Sequence, residues 1–156
     1  MARTKLSVLG LDVGRRRIGV AGCDGLGLLA TELTTIERSA FAQDVQRFQA
    51  LVRERQVQRL VVGLPYCMDG SLGFQAQKVQ NYAERLAQAL ELPLDYMDER
   101  LTSVEAEQQL KAQRVSVMRN KGRVDRKAAA LILQRWLDRR RQTRWSEKKR
   151  GDKVNQ

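Results

Sequence analysis

Residues 6–36 divide into three apolar runs, Leu6 to Asp12, Ile18 to Cys23 and Leu28 to Ile36, separated by Gly14–Arg17 and Asp24–Gly27. Both connections are short and carry glycine, which predicts a meander of three antiparallel strands. Phe41, Val45, Phe48 and Leu51/Val52 then recur at helical spacing, predicting a helix over about 40–56 with Ser39 in position to cap it. A buried strand follows at Arg59–Leu64, stopped by Pro65 and a loop to Gly73. Ala76, Val79, Ala83, Leu86 and Leu90 define a second helix, and Pro93 introduces the strand Leu94 to Met97. Thr102-Ser-Val-Glu105 is a capping box for a short helix to about Gln113. The final helix is expected from near Val124, with Ala129, Ile132, Leu133, Trp136 and Leu137 on one face. Two strands alternating with helices after a meander predict an α/β fold, a mixed sheet covered by helices.

Three acidic residues break this pattern. Asp12 ends the first apolar run, Glu99 follows the last strand, and Asp125 opens the final helix out of a basic stretch. A carboxylate at the inner end of an apolar strand must be solvated, paired or metal-bound. Successive strand residues face opposite sides, so Asp98 and Glu99 cannot both serve one site while the strand continues; Glu99 is the expected ligand and Asp98 is paired elsewhere. Asp125 has a plainer role open to it as a helix N-cap or dipole partner. Carboxylates gathered from distant segments, in a chain with no histidine, point to oxygen-ligated divalent metals and phosphoryl-transfer chemistry.

The missing histidine also excludes Ser-His-Asp and Cys-His nucleophiles, and Cys23 and Cys67 lack the spacing of a zinc site, so both are expected as reduced thiols. No apolar run reaches the roughly 18 residues of a membrane span, and no signal peptide is visible, so a cytoplasmic protein without a membrane partner is expected. The net charge of +11 implies a polyanionic partner, nucleic acid first. From Arg139 to Gln156, eight basic residues against two acidic ones leave +6, about half the excess. That segment, 139–156, reads as a basic, flexible tail that either strengthens phosphate binding or only solubilises the chain.

Four motifs place the chemistry. In Leu11–Ala21, Gly14 and Gly19 allow close backbone approach to a phosphate, with Arg15, Arg16 and Arg17 beside it. The loop Val62–Gly73 offers Asp69, Gly70 and Ser71 at the start of a helix, where a turn-forming role is the first explanation. In Asp98–Thr102, Arg100 either binds phosphate or neutralises a neighbouring carboxylate. From Lys111 to Lys127 seven basic residues, including Arg119, Lys121, Arg123 and Arg126, surround the single acid Asp125, and Gly122 is expected to interrupt the helix. This is the composition of a flexible substrate-gripping loop.

Together, LDVGRRRIGVA, VGLPYCMDGSLG, DERLTS and the D-x-x-A-A-A helix start resemble the YqgF (RuvX-like) family of the ribonuclease H-like superfamily over about residues 6–138. The resemblance implies a ribonuclease H-like nuclease domain at 1–138. Its mixed five-stranded sheet would have three antiparallel strands followed by two parallel ones, with helices on both faces. It implies that Asp12, Glu99 and Asp125 hold two Mg2+ or Mn2+ ions and are catalytic. It further implies a nuclease acting on structured nucleic acid, with maturation of the 5' end of pre-16S ribosomal RNA, on ribosomal precursor particles, as the first expectation. Resolution of branched DNA at a Holliday junction is the second. A non-catalytic RNA-binding ribosome-assembly factor is the third reading, since charge alone would serve it.

Overall fold

The computed structural model describes residues 5–66, 69–99 and 121–154. Its strands are β1 (Val8–Val13), β2 (Arg17–Cys23), β3 (Ala30–Glu37), β4 (Arg59–Leu64) and β5 (Leu94–Asp98). The helices among these residues are α1 (Phe41–Arg55), α2 (Phe74–Leu90) and α3 (Lys121–Val154). The strands form one sheet in the order β3-β2-β1-β4-β5. β1–β2 and β2–β3 pair antiparallel, whereas β1–β4 and β4–β5 pair parallel. This is the expected mixed sheet. The helix expected at 102–113 and the thiol of Cys67 lie outside the described residues.

Strand alternation divides the apolar residues into two cores. Leu9, Leu11, Ile18, Val20, Leu60 and Val62 face α1 and α2, where they meet Phe48, Val79, Ala83 and Leu86. Val8, Ala21, Cys23 and Val61 face α3 and meet Ala129, Ile132, Leu133, Trp136 and Leu137. Cys23 is a free, buried thiol, and burial pushes its pKa up, as expected of an inert core cysteine.

Several boundaries shift for local reasons. Leu28 and Leu29 belong to the β2–β3 turn, not to β3, because both backbone N–H groups donate to the Asp24 carboxylate. Ser39 does not cap α1; Ala40 occupies that position, and the buried Asp44 reaches back to accept from the Ser39 N–H and hydroxyl. Helix α3 starts at Lys121 and runs through Gly122, so the glycine does not interrupt it and Asp125 sits in its second turn. The same helix continues to Val154, through most of the segment expected as a flexible tail, and residues 141–148 are exposed.

Candidate active site

Three glycines on the α3 side of the sheet let that helix lie directly on the strands. A methyl group on Gly10 would come within 2.6 Å of Leu133 Cβ, and one on Gly63 within 2.5 Å of Ile132 Cδ1. At Gly19 it would stand 2.0 Å from the Asp125 carbonyl oxygen, an impossible contact. Glycine at these places sets the height of α3 and presses its second turn against β2. The carboxylate of Asp125 is thereby delivered to the sheet end where β1 stops.

The parity that separates the cores also orients the other two acids. On β1, Val8 and Gly10 face α3, so Asp12, next in that series, faces it too. On β5, Met97 packs in the α3 core while Tyr96 packs in the other, which places Glu99 with Met97 and sends Asp98 to the opposite side. The Glu99 N–H donates to the Leu64 carbonyl at 3.0 Å, extending the parallel ladder by one residue and fixing the carboxylate's origin. Asp12 and Glu99 lie within hydrogen-bonding reach of each other, and Asp125 is near enough to act electrostatically on Asp12. Of the three acids singled out in the sequence, Asp12 and Glu99 are therefore in contact, and Asp125 stands near enough for its charge to be felt by Asp12.

Their closeness is unfavourable for charge. Desolvation raises the Asp12 pKa to about 6 against the opposing hydrogen bond from Glu99, with Asp125 adding to the rise. Desolvation, then the charge and hydrogen bond of Asp12, push Glu99 up to about 9. Asp125 is also raised by burial, although the guanidinium of Arg17, whose Nε donates to Asp125 Oδ2 at 3.3 Å, works against the shift. Glu99 Oε2 is buried and has no hydrogen-bond partner among the described residues. A stranded acceptor beside two further carboxylates fits a hard divalent cation, because all the donors are oxygen. Among the described residues no three acids stand close enough together to hold a metal ion: Asp12 and Glu99 face each other, and Asp125 is engaged by Arg17.

The remaining candidates separate. Arg15 and Arg16 are exposed in the β1–β2 turn, whereas Arg17 is committed to Asp125. Arg126 donates to Thr35 Oγ1 at 3.1 Å, tying α3 to β3, and Arg123 is half-buried in the first turn of α3. Asp69 Oδ1 accepts from the Ser71 N–H and hydroxyl, and Gly70 has a positive φ of 87°, so this trio forms a tight turn. Arg100, Arg119 and the Lys121 side chain lie outside the described residues. Sequence reasoning passed over Arg38, Lys78 and Arg85, which gather on the other side of the β1–β2 turn. The only signal for two of them is the helical spacing of Lys78, Asn81 and Arg85 along α2.

A mixed five-stranded sheet of this order, with one carboxylate near the end of β1, one just past β5 and one on the helix packed across them, is a ribonuclease H-like fold. Structures of Thermus thermophilus RuvC share the fold. The one described as "T. thermophilus RuvC in complex with Holliday junction substrate" aligns at a TM-score of 0.57 and 15% identity, over 88% of this chain and 97% of that one. The family model RuvX, described as "Holliday junction resolvase", matches residues 6–139, and the chain belongs to that family. A protein of Gloeothece citriformis named "Putative pre-16S rRNA nuclease" is 66% identical over 145 residues, covering 93% of this chain and 96% of its own. One of the same name from Trichormus variabilis is 68% identical over 136 residues, covering 87% and 90%. The family description and the relatives' names are those of nucleases, hydrolases of phosphodiester bonds. Among the described residues no helix is long and apolar enough to cross a membrane.

Proposed function

We infer that this chain is a divalent-metal-dependent nuclease that cleaves structured RNA, maturing the 5' end of pre-16S ribosomal RNA. The observation that carries the reading is the buried Glu99 Oε2, without a hydrogen-bond partner among the described residues, beside Asp12 and near Asp125, a concentration of acid whose charge a divalent cation would offset. Asp12 and Glu99 would hold the ion, with Asp125, here paired with Arg17, as the third acid available to it. Bound there, Mg2+ or Mn2+ would supply Lewis acidity for an attacking water and for the departing oxygen. Arg17 holds Asp125 at the site, and Arg15 and Arg16, exposed in the adjoining turn, meet the phosphates of the strand. Residues 1–138 form the catalytic unit in this reading, and the basic segment from 139 adds sequence-independent grip. The relatives' names favour ribosomal RNA.

A four-way DNA junction is the second substrate, favoured by the family's description; it demands paired cuts and hence a two-fold dimer. Pre-16S RNA and a four-way DNA junction offered side by side with Mn2+ or Mg2+ test both. RNA cleavage is expected from the wild type, and Asp12→Asn should lower it on the order of 10³-fold while RNA binding persists. Equal cleavage by the two proteins removes the nuclease reading, and cleavage of the junction alone moves it to DNA.

A further inference from the structure

A second constellation lies around the corner from the carboxylates, on the α2 side of the β1–β2 turn. A cleft of about 390 Å3 is lined there by Val13, Gly14, Arg15, Arg38, Lys78 and Arg85, among others, and none of the described lining residues is a carboxylate. Its cations are held in place. The Arg38 guanidinium lies 4.3 Å from the centre of the Tyr82 ring and that of Arg85 4.2 Å from the Phe41 ring, and the two rings meet edge to face. Buried Asp44 accepts from the Tyr82 hydroxyl at 3.0 Å and from Ser39, which fixes the aromatic pair and occupies that carboxylate. Arg38 also donates to the Gly14 carbonyl at 2.8 Å, two residues beyond Asp12, so the cleft is tied to the strand that carries the acidic site. A stacked guanidinium keeps its N–H edge available, the arrangement suited to phosphate.

One further feature selects among phosphate ligands. At the start of α2, Phe74 is 73% exposed, and the Lys78 ammonium sits 4.4 Å from its ring centre. An aromatic face held out to solvent beside a cationic cleft matches a base stacked next to its own phosphates. Bases paired within a duplex do not offer that face.

We propose that the Arg38–Lys78–Arg85 cleft is a binding subsite for single-stranded RNA. It takes the phosphates of the unpaired segment flanking the scissile bond, while Phe74 stacks a base of the same segment. The proposal rests on the nuclease reading for its substrate. Sugar-phosphate backbone leaving the carboxylate site passes the Gly14 turn, enters the cleft along Arg38 and Arg85, and reaches Phe74 at its far end.

Fluorescence anisotropy with the full chain, a labelled single-stranded RNA oligonucleotide and EDTA measures this without cleavage. Arg85, Lys78 and Phe74 are all exposed, so alanine variants keep the core, and thermal unfolding verifies it. Arg85→Ala and Lys78→Ala should each weaken binding about 3- to 10-fold and reduce the log-log salt slope by about 0.7 for each phosphate no longer neutralised. Phe74→Ala should weaken it about 5- to 10-fold with the slope unchanged. Arg53→Ala, an equal charge removed from an exposed position near the end of α1, should do neither. A fully paired RNA duplex should be insensitive to Phe74→Ala. The proposal is overturned if Arg53→Ala matches the cleft variants, if Phe74→Ala is silent, or if adenosine monophosphate or inorganic phosphate binds as tightly as the oligonucleotide. That last result would make the cleft a site for a free phosphate ligand. Because EDTA withholds the metal, failure of the nuclease reading appears separately, as missing Mn2+-dependent cleavage with the cleft-dependent binding intact.

Discussion

The two faces of the sheet are built on opposite terms. Toward α1 and α2 the strands present Leu, Ile and Val against Phe48 and Leu86, all fully buried. Toward α3 they present Gly10, Gly19 and Gly63 among smaller apolar residues, with two acids, Asp12 and Glu99, at the end that faces Asp125 of α3. Large side chains hold a helix off at ordinary packing distance and supply burial free energy. Glycines give up some of that burial and let the backbones approach, which sets where Asp125 stands relative to Asp12. One face chiefly stabilises, and the other chiefly positions.

Substitutions on the two faces should therefore separate stability from chemistry. Phe48→Ala is expected to cost about 3–5 kcal/mol in denaturant unfolding while leaving the folded fraction's metal-dependent cleavage intact. Gly19→Ala should cost less, about 1–3 kcal/mol, yet reduce cleavage more than Phe48→Ala, because the added methyl must displace the Asp125 backbone. If Phe48→Ala proved the more damaging to turnover at equal folded fraction, the division between faces would fail.

The acids themselves give a smaller and oppositely signed effect. Asp12 and Glu99 bind protons more tightly folded than unfolded, from ordinary values of 3.8 and 4.5 to about 6 and about 9. Folding therefore takes up protons across that window, and the metal-free protein should lose stability as pH rises from about 4.5 to 9. Glu99→Gln should flatten the fall and gain on the order of 1 kcal/mol at pH 8 in EDTA. A steeper fall in the variant would contradict the linkage. Smallest of all, truncation after Arg140 removes the exposed residues 141–148 together with the segment beyond them and should spare the unfolding midpoint. It should lower the salt slope of RNA binding by about 0.9 for each duplex phosphate that the removed cations had neutralised.

Much of the α3 face is legible in the linear sequence, because it depends on strand parity and interrupted apolar runs. Asp12 stands out at the end of Leu6–Leu11, and parity lets only one of Asp98 and Glu99 face the site, while the packing of Met97 against α3 in the folded chain selects Glu99. The start of α3 is less legible. Lys121–Val124 carries no apolar repeat, and only the folded chain shows the helix already formed at Lys121, ahead of the start expected near Val124. Its extension to Val154 follows from the helix propensity of Arg, Lys, Gln and Glu, a property that hydrophobic spacing does not register. Arg38 and Arg85 are hidden for another reason. Their meeting depends on the β3–α1 connection packing against α2, with Asp44, Tyr82 and Phe41 as intermediaries distant in sequence.

Calorimetric titration of Mn2+ into the wild type and Glu99→Gln at pH 7, in buffers of different ionisation enthalpy, addresses the carboxylate centre most directly. Glu99, pushed up to about 9, carries a proton at that pH, so an ion that takes its oxygen must expel it. Wild type should bind Mn2+ with release of about one proton, and the variant should bind weakly without release. The same affinity and proton count in both proteins would contradict the account.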